Sequence, residues 1–125
     1  MAKKKILIID DEEDLIYLMK LRLEFQNYQV VPLNVSTAAL EVAKMEKPDL
    51  ILLDIMMPDK NGYEVCKELK ADKETHDIPV ILFTAKPQAK ERIADLYESA
   101  GADDYILKDF ALDKLMSKIK ILLKE

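Results

Sequence analysis

The sequence predicts an α/β fold, a doubly wound five-stranded parallel sheet with helices on both faces. Short apolar runs alternate with helical patterns along all 125 residues, and no linker interrupts them. One run, Leu50-Ile51-Leu52-Leu53, is apolar without a break, as expected of a central parallel strand covered on both faces. Strand–helix units in series imply a parallel sheet, and right-handed crossovers leave few topologies. The order 2-1-3-4-5 opens a crevice at the carboxyl ends of strands 1 and 3. Functional residues are therefore expected just after strands.

The elements follow in chain order. Strands are expected at residues 5–9, 28–31, 50–53, 80–83 and 105–107. The first helix should run from about residue 12 to 26. At about 100° per residue, Ile16, Met19 and Leu23 form one stripe that faces the sheet. Leu15 and Leu18 fall on a different side. Asn61 with Glu64 three residues on reads as a capping arrangement that opens the helix after strand 3. Gly101 stands where a helix end needs a left-handed residue. Leu112, Leu115, Met116, Ile119, Leu122 and Leu123 follow helical spacing and define the last helix. There are no repeats or low-complexity segments.

Size and composition narrow the function. The length suits one domain, read here as residues 1–125. Half the residues are hydrophobic and 34% are charged, as in a soluble globular protein. The net charge of -5 argues against nucleic-acid binding through a basic surface. The short run Lys3, Lys4 and Lys5 reads as solvated. No apolar run reaches the roughly 20 residues of a membrane span, and the N-terminus does not resemble a signal peptide. Cys66 is the single cysteine. It cannot form an internal disulfide, fits a reducing cytoplasm and reads as a small buried hydrophobe.

The predicted strand ends gather a particular set of side chains. Asp10 and Asp11 follow strand 1, Asp54 follows strand 3, Thr84 follows strand 4 and Lys108 follows strand 5. Singly, each has an ordinary explanation. Asp10 and Asp11 lead into Glu12, Glu13 and Asp14, and acidic residues are favoured at a helix start. Thr84 could end a strand and Lys108 could be a surface lysine. Asp54 is harder to dismiss, because a carboxylate ending an apolar strand is costly unless paired or metal-bound.

Together the three carboxylates and one ammonium leave two negative charges, which a divalent cation balances. Oxygen donors of this kind suit Mg2+. Zinc has no Cys/His cluster to bind, and His76, in the polar segment 72–77, reads as a surface residue. A carboxylate beside Mg2+ and a lysine is arranged to attack a phosphoryl group. Asp54 would be the acceptor, with Asp10 and Asp11 on the metal. Thr84 and Lys108 would contact phosphoryl oxygens.

These residues carry a resemblance. The segments Ile8-Ile9-Asp10-Asp11-Glu12, Asp49-Leu50-Ile51-Leu52-Leu53-Asp54-Ile55-Met56-Met57-Pro58, Asn61-Gly62, Thr84-Ala85 and Gly101-Ala102-Asp103-Asp104-Tyr105-Ile106-Leu107-Lys108 stand in the order and spacing of one family. The chain resembles the receiver domain of bacterial two-component response regulators over essentially its full length, in a stand-alone, chemotaxis-regulator-like form or as a piece of a longer protein. The resemblance implies a cytoplasmic phosphorylation switch, not an enzyme, that takes a phosphoryl group from a histidine kinase or histidine phosphotransfer protein onto Asp54 with Mg2+. It implies that Asp10, Asp11 and Asp54 bind the metal with the Met56 backbone carbonyl. It implies that Thr84 and Tyr105 form the switch. It also implies that apolar residues near the site, Leu15, Leu18 and Phe110, meet the kinase.

Two departures stand out. Asp109 follows Lys108 where the family usually has proline. A cis bond without proline costs about 2.5–4 kcal/mol, so the bond is expected to be trans. Asp109 would cap the last helix in place of Ala111. The stretch from Thr84 to Lys108 also looks longer than usual, with the extra residues near Lys86-Pro87-Gln88.

Three other readings compete. A metal-dependent aspartyl-phosphate phosphotransferase or phosphatase generally needs a cap over its substrate, and this chain has almost nothing to spare. A flavodoxin-like binder needs a Ser/Thr/Gly-rich phosphate loop, whereas the only glycines are Gly62 and Gly101. A receiver-like module that only binds a partner would have lost part of the acidic set or the lysine.

Overall fold

The computed structural model describes residues 3–84, 98–108 and 112–125. In chain order the elements are β1 (Lys5–Ile9), α1 (Glu13–Phe25), β2 (Gln29–Leu33), α2 (Ala39–Glu46), β3 (Leu50–Asp54), α3 (Gly62–Ala71), β4 (Val80–Thr84), β5 (Asp104–Leu107) and a C-terminal helix (Leu112–Leu122). The strands form one parallel sheet in the order β2-β1-β3-β4-β5, as expected.

Side chains along a strand point alternately to the two faces, so a strand buried on both sides divides its residues between two cores. Ile6 and Ile8, Leu50 and Leu52, and Ile81 and Phe83 join Ile16, Met19 and Leu23 of α1 and Leu115, Met116 and Ile119 of the C-terminal helix. Leu7 and Ile9, Ile51 and Leu53, and Val80 and Leu82 pack with Ala39 and Ala43 of α2 and Val65, Cys66 and Leu69 of α3. The stripe expected on α1 is the buried one.

Strand 2 differs from the expectation at residues 28–31. Tyr28 lies just before β2, where its N–H donates to Leu23 O at 3.0 Å, and the strand runs on through Pro32 to Leu33. Proline has no N–H to give a ladder, but β2 is an edge strand bonded only to β1. The Asn61 side chain caps α3 by accepting from the Tyr63 N–H at 2.7 Å. Among the described residues the Glu64 side chain makes no return bond to the Asn61 N–H, so the cap forms without the reciprocal half of a capping box. Gly101 is left-handed at φ +81°, as its place after a helical turn required. No helix among the described residues is long and apolar enough to cross a membrane.

Candidate functional site

The alternation that fills the two cores also builds the site. Asp10 continues the face of Ile6 and Ile8, Asp54 that of Leu50 and Leu52, and Lys108 that of Ile106. Because Ile9 pairs with Leu53 across β1 and β3, the two aspartates leave the sheet at the same level. Both are buried, at 0% and 2% exposure, while Asp11 is exposed. Carboxylate oxygens of Asp10, Asp11 and Asp54 all lie within 4.8 Å of one another.

The Lys108 ammonium sits over the buried Phe83 ring, 5.2 Å from its centroid, where the ring's negative face favours a cation. It donates to Asp54 Oδ2 at 3.2 Å and to Glu12 Oε1 at 2.8 Å. Asp10 Oδ2 is 3.1 Å away, inside ion-pair range, and meets no other donor among the described residues. The other oxygens are held by the chain itself. Asp10 Oδ1 accepts from the Glu12 N–H at 2.9 Å and Asp54 Oδ1 from the Met56 N–H at 3.0 Å.

Burial pushes the Asp10 carboxyl up to about 7, and the Asp54 charge adds to this against the Glu12 N–H and Lys108. Burial opposes the Lys108 charge, but the Glu12 hydrogen bond and the charges of Asp54 and Asp10 outweigh it and hold the ammonium above the ordinary lysine value.

The buried Asp10 oxygen, met by the Lys108 ammonium alone among the described residues, is a test of metal fit. One ammonium shared with Asp54 and Glu12 leaves the buried carboxylates short of positive charge, and hard oxygen donors crowded this closely suit a divalent cation. The residues fit Mg2+. Asp10, Asp11 and Asp54 can supply the donors, on a site that is more acidic than the sequence count implied, because Glu12 also reaches Lys108.

The structure brings Asp10, Asp11, Asp54 and Lys108 together as expected. Thr84 ends β4, its backbone in register with Leu107, and its side chain lies outside the described residues. Tyr105 is half-buried in β5 beside the core that packs α2 and α3. Met56 is exposed on the loop after β3. Leu18 is exposed, while Leu15 is partly buried against the core. Phe110, Asp109, Ala111 and residues 86–88 lie outside the described residues.

Three residues were missed. Glu12 read as one more helix-start acid. Asp59 followed a proline in a loop, yet it accepts from the Ser36 and Thr37 N–H groups, each at 2.9 Å, and from Ser36 Oγ at 2.8 Å, tying the β3–α3 loop to the start of α2. Gly62, which the resemblance matched beside Asn61 without a role, lies against the backbone of the Asp54 segment.

A parallel sheet with acidic residues at the ends of β1 and β3 and a lysine after β5 defines a class of signalling domain. The family model for the response regulator receiver domain matches residues 6–120, and the chain belongs to that family, the receiver domains of two-component response regulators. The chain is 39% identical over 121 residues to the Bacillus subtilis alkaline phosphatase synthesis transcriptional regulatory protein PhoP, covering 97% of this chain and 49% of PhoP. It is 38% identical over 120 residues to the response regulator MprA of Mycobacterium leprae, covering 96% of this chain and 51% of MprA. The chain thus spans about half the length of these curated relatives. Among solved structures, the BeF3-activated N-terminal receiver domain of Klebsiella pneumoniae RstA superposes with a TM-score of 0.85 at 32% identity, covering 98% of this chain and 100% of that one. A CheY-like receiver domain protein of Methanospirillum hungatei gives 0.88 at 29% identity, covering 98% and 95%.

Proposed function

We propose that residues 1–125 act as one receiver domain whose Asp54 accepts a phosphoryl group from a phosphohistidine on a histidine kinase or phosphotransfer protein. The observation that carries this reading is the buried Asp10–Asp54 pair with the Lys108 ammonium 3.1–3.2 Å from both.

Asp10, Asp11 and Asp54, with the Met56 carbonyl, would hold Mg2+. The bound ion supplies charge stabilisation for the phosphoryl oxygens during in-line transfer. The Met56 N–H holds Asp54 Oδ1, which turns Oδ2 toward the cleft. An Asp54 oxygen attacks phosphorus, the P–N bond breaks, and its electron pair stays on the donor imidazole. Lys108 moves from the carboxylate to a phosphoryl oxygen and Thr84 donates to another. Tyr105 changes rotamer behind it, which alters the partner-binding face. Leu15 and Leu18, with Phe110, form the kinase contact.

The receiver family and the single cysteine, which fits a reducing compartment, support a cytoplasmic setting. The domain is a signalling element that assists its own phosphorylation and dephosphorylation rather than turning over a separate substrate.

The test is incubation with a small phosphodonor and Mg2+, followed by intact-mass measurement. One phosphoryl group should be added, lost in Asp54→Asn and strongly slowed by excess chelator. Undiminished labelling of Asp54→Asn would refute the assignment, and multiple turnover of small phosphate esters would favour an enzyme. BeF3, which activated the RstA receiver, is a phosphoryl-like probe for the same site.

A further inference from the structure

Glu12 occupies the N-cap position of α1, where a side chain ordinarily accepts from the first helical N–H groups. It makes no such cap. Its carboxylate instead crosses to the end of β5 and takes the shortest of the Lys108 contacts, at 2.8 Å against 3.1 Å for Asp10 and 3.2 Å for Asp54. The backbone placement favours this reach, because the Glu12 N–H is fixed on Asp10 Oδ1. Glu12 is also the solvent-facing member of the three. Its side chain is 57% exposed while those of Asp10 and Asp54 are 0% and 2% exposed.

Lys108 and a divalent cation compete for the same buried carboxylates. An ammonium drawn fully onto Asp10 and Asp54 would occupy lone pairs that the metal needs and would repel the incoming ion. In the structure the ammonium is shared among Glu12, Asp10 and Asp54 at 2.8, 3.1 and 3.2 Å, so part of its charge goes to the exposed carboxylate.

We propose that Glu12 is a positioning residue, a seat that holds the Lys108 ammonium partly off Asp10 and Asp54 so that those carboxylates remain available to a divalent cation. The inference rests on the metal-site reading above. A general effect of surface charge would also weaken metal binding when Glu12 is neutralised, but it would do so whether or not Lys108 is present. The seat acts only through Lys108.

The experiment is a double-mutant cycle read by Mg2+ affinity, not by activity. Wild type, Glu12→Gln, Lys108→Met and the double variant are titrated with Mg2+, and dissociation constants are taken from the Met56 amide resonance. Glu12→Gln should raise the dissociation constant about tenfold when Lys108 is present and about threefold or less in the Lys108→Met background, the residue expected of a screened, exposed charge. Equal factors in the two backgrounds, or no change, overturn the proposal. Wild-type protein that binds no Mg2+ overturns the metal-site reading and the seat with it. If Lys108→Met does not fold, the Lys108 15Nζ resonance of the metal-free protein decides. It should move on Glu12→Gln, and an unmoved resonance refutes the contact.

Discussion

Gly62→Ala adds one methyl group at the start of α3, where it meets backbone. An ideal Cβ at this position would stand 2.5 Å from Asp54 O and 2.7 Å from Ile55 Cα. Neither neighbour can swing aside as a flexible side chain would. Asp54 and Ile55 are tied to the sheet, the latter by its N–H to Phe83 O at 3.0 Å, and the Gly62 N–H itself donates to Ile55 O at 3.0 Å. Overpacking of this kind costs about 1–3 kcal/mol. The better helix propensity of alanine returns at most about 1 kcal/mol, and less at a first helical position. The expected net loss is about 2 kcal/mol, and at about 4 °C per kcal/mol for a domain of this size the melting temperature should fall by about 8 °C. Urea unfolding should show a lower midpoint with an unchanged slope. The shift falls on the backbone that carries Asp54, so Mg2+ affinity and labelling by a phosphodonor should fall as well. Gly101→Ala is the control. It strains a left-handed residue at φ +81° and, among the described residues, meets the Lys70 side chain, Cγ at 3.2 Å, rather than the backbone of the site. It should cost about 1–2 kcal/mol and leave Mg2+ affinity unchanged. Gly62→Ala with wild-type stability and wild-type Mg2+ affinity would refute the close-approach argument.

Further perturbations test the electrostatics and the contact surface. Asp10, raised to about 7 by burial, binds its proton more tightly folded than unfolded. Metal-free stability should therefore fall as pH rises from about 4 to about 7, by at most about 4 kcal/mol. Asp10→Asn should flatten this dependence and raise the melting temperature at pH 8; a metal-free melting curve independent of pH across that window would refute the shift. The Thr37 N–H holds the Asp59 carboxyl well below the usual carboxylate range, so its contribution is present above about pH 4 and is lost as pH falls toward the folded value. Asp59→Ala should cost about 1 kcal/mol near neutral pH, which urea unfolding would register. Cys66 is buried, and burial pushes its thiol up to about 11, so a thiol reagent at pH 8 should label it only on unfolding. Leu18→Ala should leave stability within about 0.5 kcal/mol of wild type while slowing phosphotransfer from the cognate kinase; unchanged transfer would remove Leu18 from the contact.

The sheet and most of the site are written in local pattern. A strand covered on both faces must be apolar throughout, so Leu50-Ile51-Leu52-Leu53 announced β3, and a carboxylate placed directly after it announced Asp54. Period-two alternation then carried Asp10, Asp54 and Lys108 to one side of one sheet edge, which strand order alone completes. Other features arise between segments distant in sequence and leave no mark on either segment alone. Strand 2 was expected to stop at residue 31, and the edge position of β2 let it continue through Pro32 to Leu33. Glu12 had the sequence position of a helix cap and became a partner of Lys108, 96 residues away. Asp59 became the anchor of the loop after β3 only because Ser36 and Thr37 lie against it. The same holds for the exposure of Leu15 and Leu18: helical spacing removed both from the sheet-facing stripe, but packing against the core decided that Leu15 is half-covered and Leu18 is not. Periodicity specifies which way a side chain points along its own element, whereas the partner it meets depends on where the chain returns.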